Sequence, residues 1–545
     1  MGGAGPELNL VNVLLAAVPV AILVVTIIAL KWSAPRAGAV SWIVVSVLAL
    51  AVFGADALIL GSASSKGLSF AFFVLSIIWT SVLMYNVIDR LGGIHVIGST
   101  MTRLVEDPLA KALVVGWAFA GLMQGVAGFG LPVAVVTPLL AIMGFRPATA
   151  AAIALVGHSW AVTFGSLGSS YYTIQLVSGL EGSDLGPYMA AMFAPATIFT
   201  GFAVAHLEGG MKSVRRGAPA ILIIGGAMSL ALWVTAVLGA YQIASVVASL
   251  VGCGVGWAVS RTRLLGRRAE VAVAAADAVT AVPETAPKAV KDAAAPPPKG
   301  ISFHMAFLPY YLLIAVSIIS QIPWVKELGS TWQWGLSYPA TETDLGFAVL
   351  RQNNYAAIKY LSHPAPLILI SLALTYLVFR IRGQWKPGTI KVASTKTYSQ
   401  CVSTSVGVSM MVMMALVMID TGMTALLGEA IARTTGQVFP IFSPFIGVLG
   451  TFMTGSNTNS NVMFGALQLE TGATLGITAV LIASIQSIGG SFGSSIAPAK
   501  VMVATAIVGL NGKENEVLMR TIPYCIVTVL LVGLQAWLMV TFFSG

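Results

Sequence analysis

Thr454-Gly-Ser-Asn-Thr-Asn-Ser-Asn461 lies inside a stretch that is otherwise largely apolar, and that contrast decides the fold. Every residue in it apart from Gly455 is Thr, Ser or Asn. Within a membrane such a run is tolerated only where it is buried in protein or lines a water-filled cavity, because lipid satisfies no free N–H or C=O group. It has a counterpart in the first half of the chain. Gly125-Val-Ala-Gly-Phe-Gly130 interrupts the apolar stretch 111–143, and Phe164-Gly-Ser-Leu-Gly-Ser-Ser170 follows about 36 residues later. In the second half, the interrupted stretch 440–470 is followed at nearly the same distance by Phe492-Gly-Ser-Ser-Ile-Ala-Pro498. Matched, interrupted apolar segments in two halves of a chain point to a transporter whose substrate lies between broken helices. The expectation is an all-α polytopic membrane protein with two inverted repeats of broken or re-entrant helices. It would have roughly 12–15 membrane segments, each near the ~20 residues that cross the hydrocarbon core. Residues 1–268 form the first repeat half and 304–545 the second.

Composition agrees. Of the 545 residues 57% are hydrophobic and only 9% charged, against roughly a quarter charged in soluble chains, so most of the surface faces lipid. The net charge of +9 does not signal a nucleic-acid partner. Its clusters, Lys31/Arg36, Lys212/Arg215/Arg216, Arg261/Arg263/Arg267/Arg268 and Arg380/Arg382/Lys386/Lys391, fall on one side when the spans are counted. That side is the cytoplasm by the positive-inside bias, which places the amino terminus outside. Spans at 38–60 and 69–90 leave 61–68 as a loop. Residues 269–303, rich in Ala, Val, Pro and Lys, read as a disordered cytoplasmic linker. The three cysteines sit in apolar runs and supply neither a disulfide framework nor a metal site. No Walker loop, H-E-x-x-H or G-x-S-x-G is present, so the chain reads as a carrier and not an enzyme, with no cofactor beyond a coupling ion, H⁺ or Na⁺.

Ionisable groups inside a membrane are costly and mark function. His158 is either a buried core histidine or a group for binding or proton transfer. Lys500, close behind Pro498, is placed to neutralise a bound carboxylate or to snorkel to the interface. Asp420 ends a span before Thr-Gly-Met, and reads as a boundary residue facing water or as a proton carrier. Tyr171 and Tyr172 offer hydroxyls to a substrate or to the interface. The stretch Met410 to Met418 reads as flexible core packing.

These motifs resemble the lactate permease family. The resemblance rests on Gly125-Val-Ala-Gly-Phe-Gly-Leu-Pro-Val-Ala134, Phe442-Ser-Pro-Phe445, Leu449-Gly-Thr-Phe-Met-Thr-Gly-Ser456 with Asn461, Phe464-Gly-Ala-Leu-Gln468 and Val508-Gly-Leu-Asn-Gly-Lys-Glu514. It covers essentially the whole chain, and implies proton-coupled uptake of a small 2-hydroxy monocarboxylate, lactate or glycolate, through a bacterial plasma membrane. Gln124 and Asn457 stand where the family usually has Glu and Asp, and Lys500 where it commonly has an uncharged polar residue. Together these make the site about three charges more positive than the family pattern, which favours an anion. Amides cannot carry a proton, so that task falls to His158 or Asp420. Ser456-Asn457-Thr458 also resembles a signature of the divalent-anion/sodium symporters, which implies sodium coupling as an alternative and a scaffold with a moving transport region, often in a homodimer. The expected substrate site is Gln124, Gly128, Phe129, Gly130, His158, Ser159, Ser456, Asn457, Asn459, Asn461, Ser494 and Lys500. The expected ion-coupling set is Ser456, Asn457, Thr458, His158 and Asp420. A sodium-coupled carrier of a dicarboxylate or sulfonate, or an anion channel, are the other readings.

Overall fold

The computed structural model describes residues 5–128, 130–262, 264–265, 287–296 and 300–543. Phe129 and most of the expected linker, 269–286 and 297–299, lie outside the described residues. The chain is an all-α polytopic membrane protein. Twelve helices among the described residues are long and apolar enough to cross a membrane, or thirteen counting one bent pair.

The first half runs α1 (Leu10–Ile28), α2 (Ala34–Ala51), α3 (Ala57–Leu91), α4 (Gly93–Arg103), α5 (Pro108–Val126), α6 (Leu131–Ile142), α7 (Pro147–Gly157), α8 (Ser169–Ser178), α9 (Gly182–Val237) and α10 (Tyr241–Ser260). The expected loop at 61–68 is instead interior to α3. The chain turns earlier, at Gly54 (φ 65°), and the Asp56 carboxylate caps α3 by accepting from the Ile59 amide at 2.7 Å. At 56 residues, α9 would extend about 84 Å as one rod. Its backbone breaks at Gly209-Gly210, and a methyl group on Gly225 would lie 3.2 Å from the Ile198 Cα, so its halves fold back on each other.

The second half runs α11 (Lys288–Ala294), α12 (Phe303–Ile319), α13 (Pro323–Thr331), β1 (Gln333–Tyr338), β2 (Thr341–Glu342), β3 (Ala348–Val349), β4 (Gln352–Lys359), α14 (Pro364–Ile381), α15 (Thr389–Asp420), α16 (Met423–Thr435), α17 (Phe439–Thr454), α18 (Asn457–Thr474), α19 (Ala479–Gly493), α20 (Pro498–Ile507) and α21 (Glu514–Phe543). The described part of the expected linker contains α11, whose Val290 is buried. Next to it the Ala295 carbonyl lies 2.9 Å from His95 Nε2. The two small antiparallel pairs, β1 with β4 and β2 with β3, are additions to the helical expectation. They form one excursion between α13 and α14.

The interrupted segments fold as hairpins and broken spans. Between α17 and α18 the chain reverses at Gly455 (φ 72°), and the Ser460 hydroxyl donates to the Gly447 carbonyl at 2.8 Å across the hairpin. Between α5 and α6 it reverses near Gly130 (φ 82°), with Gly116 close to Leu140. The segment after each hairpin is itself broken, at 158–168 between α7 and α8 and at 494–497 between α19 and α20. In the first of these breaks Ser166 and Leu167 hold positive φ without being glycine. Elsewhere α3 packs along α15, with Gly67 against the Met413 backbone. The methionine stretch is therefore core packing.

Candidate functional site

Both hairpin tips approach α20. A methyl group on Gly130 would have Val503 as its neighbour, at 3.9 Å, and one on Gly455 would meet Ala499 at 3.6 Å. Lys500 lies between these two α20 residues in sequence and is 6% exposed. It is buried and does not snorkel. Its ammonium donates to the Ser494 hydroxyl and lies 3.5 Å from His158 Nε2. His158 is fully buried. Its Nδ1 is 2.8 Å from the Ala154 carbonyl, which only accepts, so Nδ1 carries the proton and Nε2 of the neutral ring is the acceptor facing Ser494 at 3.2 Å and Lys500. Among the described residues no carboxylate forms an ion pair with Lys500. A buried ammonium with only neutral partners is held at a cost that an anion would offset.

From this cluster a seam of polar groups runs along the two broken spans. The Ser491 hydroxyl donates to the Ser159 carbonyl at 2.6 Å, and the Thr163 hydroxyl donates to the Ser487 carbonyl at 2.9 Å. The Asn457 amide donates to Thr163 Oγ1 at 3.0 Å and to the Ser487 carbonyl at 3.1 Å. Asn461 donates to the Ser170 carbonyl and the Ser487 hydroxyl, both at 3.0 Å, while Thr458 and Ser170 share a hydroxyl contact of 3.0 Å. Behind them Gln486 donates to the Ser460 carbonyl at 3.1 Å and bonds Gln468, which in turn bonds Ser443. The remaining expected residues divide. Ser456 caps α18, its hydroxyl accepting from the Asn459 amide at 3.4 Å. The carbonyl oxygens of Asn457, Asn459 and Gln124 are buried without a partner. Gly128 packs against Ser166 and the Gln124 amide. Phe129 lies outside the described residues. Four helices, α6, α8, α18 and α20, begin at the breaks, so their N-terminal amides and partial positive charge collect there, a setting suited to an anion.

Asp420 is not an exposed boundary residue. It is 3% exposed and pairs at 2.8 Å with Lys66 of α3, which is fully buried. Lys66 falls in the loop 61–68 that the spans expected from sequence leave between them. The usable signal was the absence of any Gly-Pro or Asn-Gly turn between Leu58 and Phe70, which leaves a lysine inside continuous helix. Asp420 lines a cavity of about 1050 Å³ that also touches Phe73, Tyr172, Gln175, Val462, His363 and the β4 residues Gln352–Ala357. Tyr172 and Val462 belong to α8 and α18, the helices that also carry Ser170 and Asn461, but none of the seam residues lines this cavity. In its wall burial lowers His363 to a pKa of about 3. That keeps the ring neutral to accept from the Ala365 amide at 3.2 Å and cap α14. Tyr171 and Tyr172 are committed within the protein, to the Gly182 carbonyl at 3.3 Å and to Gln242 at 3.0 Å.

A family model described as L-lactate permease matches residues 12–543. The chain is similar to the L-lactate permease of Escherichia coli strain K12, 26% identical over 551 residues that cover 96% of each chain. It is also similar to the glycolate permease GlcA of the same strain, 25% identical over 561 residues, covering 100% of this chain and 98% of that one. Among solved structures it is similar to MtrF of Neisseria gonorrhoeae at 13% identity and a TM-score of 0.48, covering 98% of this chain and 96% of that one.

Proposed function

The chain belongs to the L-lactate permease family, and from that premise we propose that it imports lactate or glycolate across the bacterial inner membrane as a proton-coupled secondary carrier. The observation that carries this reading is Lys500, a buried ammonium with neutral partners at the meeting point of both hairpin tips. A substrate carboxylate supplies the missing counter-charge, and charge-assisted hydrogen bonds from Lys500 and Ser494 hold it. The 2-hydroxyl takes the amides and hydroxyls of the seam, Asn457 and Thr163 first. Backbone amides at Gly128 and Gly130, with Gln124, close the other side. The two halves act as inverted repeats, and the broken spans move with the hairpins against the α3–α15 scaffold, exposing the site to each face in turn.

The test is uptake of labelled L-lactate and glycolate into proteoliposomes holding the purified chain, with pH and sodium gradients imposed separately. Accumulation of either acid on the pH gradient is the expected result. Absence of uptake and of exchange for both acids overturns the reading. Sodium coupling is the second reading, and one observation favours it: Asn457 Oδ1 and Thr451 Oγ1 are buried without partners and both border Gly490, as oxygens suited to a hard cation. Accumulation driven by sodium and not by pH selects it.

A further inference from the structure

The Lys66–Asp420 pair lies outside the substrate seam, and its carboxylate lines a cavity of about 1050 Å³. Lys66 is enclosed between α3 and α15 at 0% exposure, and Asp420 stands between it and the cavity. The β1–β4 hairpin closes over the pair. Tyr338 of β1 bonds α3 on both sides of Lys66, its hydroxyl donating to the Ser65 carbonyl at 2.9 Å and meeting the Ser69 hydroxyl at 2.6 Å. Tyr355 of β4 stands edge-on to Tyr338, ring centres 5.9 Å apart. Tyr355 lines the cavity beside Asp420, and burial together with the Asp420 charge raises its pKa. The charged and titratable groups around Asp420 are therefore Lys66 from α3, Tyr355 and Tyr338 from the hairpin, and Tyr172, Glu181, Tyr241, Lys359 and His363 around the same cavity.

From this arrangement we infer that Asp420, with Lys66 as its fixed counter-ion, is the residue that takes the coupling proton from the cavity, and that the hairpin is the roof of this proton site. The inference rests on the proton-coupled reading above. The step balances simply. A hydronium ion in the cavity gives its proton to an Asp420 carboxylate oxygen and leaves as water; the carboxylate becomes a neutral acid, and Lys66 remains an ammonium. The pair changes from neutral to +1. A net charge in a low-dielectric interior is unfavourable, and a monocarboxylate entering the same cavity before it reaches Lys500 lowers that cost. Proton and anion thus favour each other's loading, which is the requirement of symport, and neither amide at 124 or 457 has to titrate. The opposing account is a static brace between α3 and α15, and a brace has no reason to border a cavity on its carboxylate side.

Two assays on the full chain in proteoliposomes separate these accounts: accumulation of labelled lactate on a pH gradient, which needs proton coupling, and counterflow exchange at equal pH, which does not. For D420N, accumulation is expected to fall about tenfold or more while counterflow stays within about threefold of wild type. The double variant K66M/D420M removes both charges, avoids a lone buried ion, and should lose accumulation on the pH gradient in the same way even where D420N folds poorly. Wild-type accumulation by either variant overturns the inference and leaves the pair a brace. Wild-type chain that exchanges lactate but does not accumulate it on a pH gradient also overturns it while sparing the substrate reading. Wild-type chain that neither exchanges nor accumulates lactate or glycolate overturns both.

Discussion

Among the described residues two lysines are buried, and they are held in opposite ways. Lys66 has a carboxylate at 2.8 Å within the protein; Lys500 has a neutral imidazole and a hydroxyl. A buried charge is costly unless it is matched, and an unmatched group relieves the cost by neutralising. The first lysine is matched by the fold, so it is stable in the empty protein and becomes informative only when Asp420 changes its charge. The second is matched by whatever enters, so it acts as a receptor for an anion. The same residue type therefore serves two tasks, and the partner decides which.

The sharpest way to break this contrast is to remove Lys66 alone. K66M leaves Asp420 buried without a counter-ion, a loss of about 3–5 kcal/mol, and should lower the melting temperature in detergent and the amount of protein in the membrane. K66M/D420M should recover most of that loss. Recovery that fails would mean that the pair is held by more than charge.

K500Q should behave in the other way, with normal protein level and weakened substrate. Truncating one partner of a buried charge pair costs about 2–5 kcal/mol, so the concentration of lactate giving half-maximal uptake should rise by about thirtyfold or more. An unchanged value would remove Lys500 from the site, and the contrast between the two lysines would collapse to one of packing.

N457A sharpens the comparison by asking how far the site extends along the seam. It deletes the amide that bonds Thr163 and the Ser487 carbonyl, worth about 1–3 kcal/mol if those groups are left unsatisfied. Weaker binding of lactate relative to acetate, which lacks the 2-hydroxyl, would place the hydroxyl there; an equal loss for both acids would not. The smallest effect belongs to Y338F. Loss of the Tyr338 hydroxyl from Ser65 and Ser69 costs about 0.5–1.5 kcal/mol. It should appear as faster amide hydrogen exchange in 333–359, with a smaller change in lactate affinity than N457A causes. Unaltered exchange would mean that the hairpin is held over Lys66 by other contacts.

Much of this is legible in the sequence. The polar run 454–461 and the glycines at 125–130 mark breaks because glycine, asparagine and serine in an apolar stretch contradict an unbroken lipid-facing helix. The pairing of His158, Ser494 and Lys500 was not legible, since 336 residues separate His158 from Ser494 and nothing local requires them to meet. Lys66 was lost for a different reason. Ser62-Ala-Ser-Ser-Lys-Gly67 has the composition of a loop, and only its burial against Met413 on α15 makes it helix. The burial of Asp420 is not legible for the same cause, because it depends on a partner 354 residues away. The β1–β4 hairpin left no periodic signal strong enough to separate it from a connecting loop.

The sequence by itself determined that this chain is a bundle of membrane helices with two interrupted regions, because hydrophobicity and backbone hydrogen bonding are properties of short segments and lipid punishes every exception. It also carried the family, through motifs spread from Gly125 to Glu514. Only the tertiary structure decided which charges are paired. Pairing is set by distance across helices remote in sequence, so among the described residues Lys66 has a counter-ion and Lys500 has none.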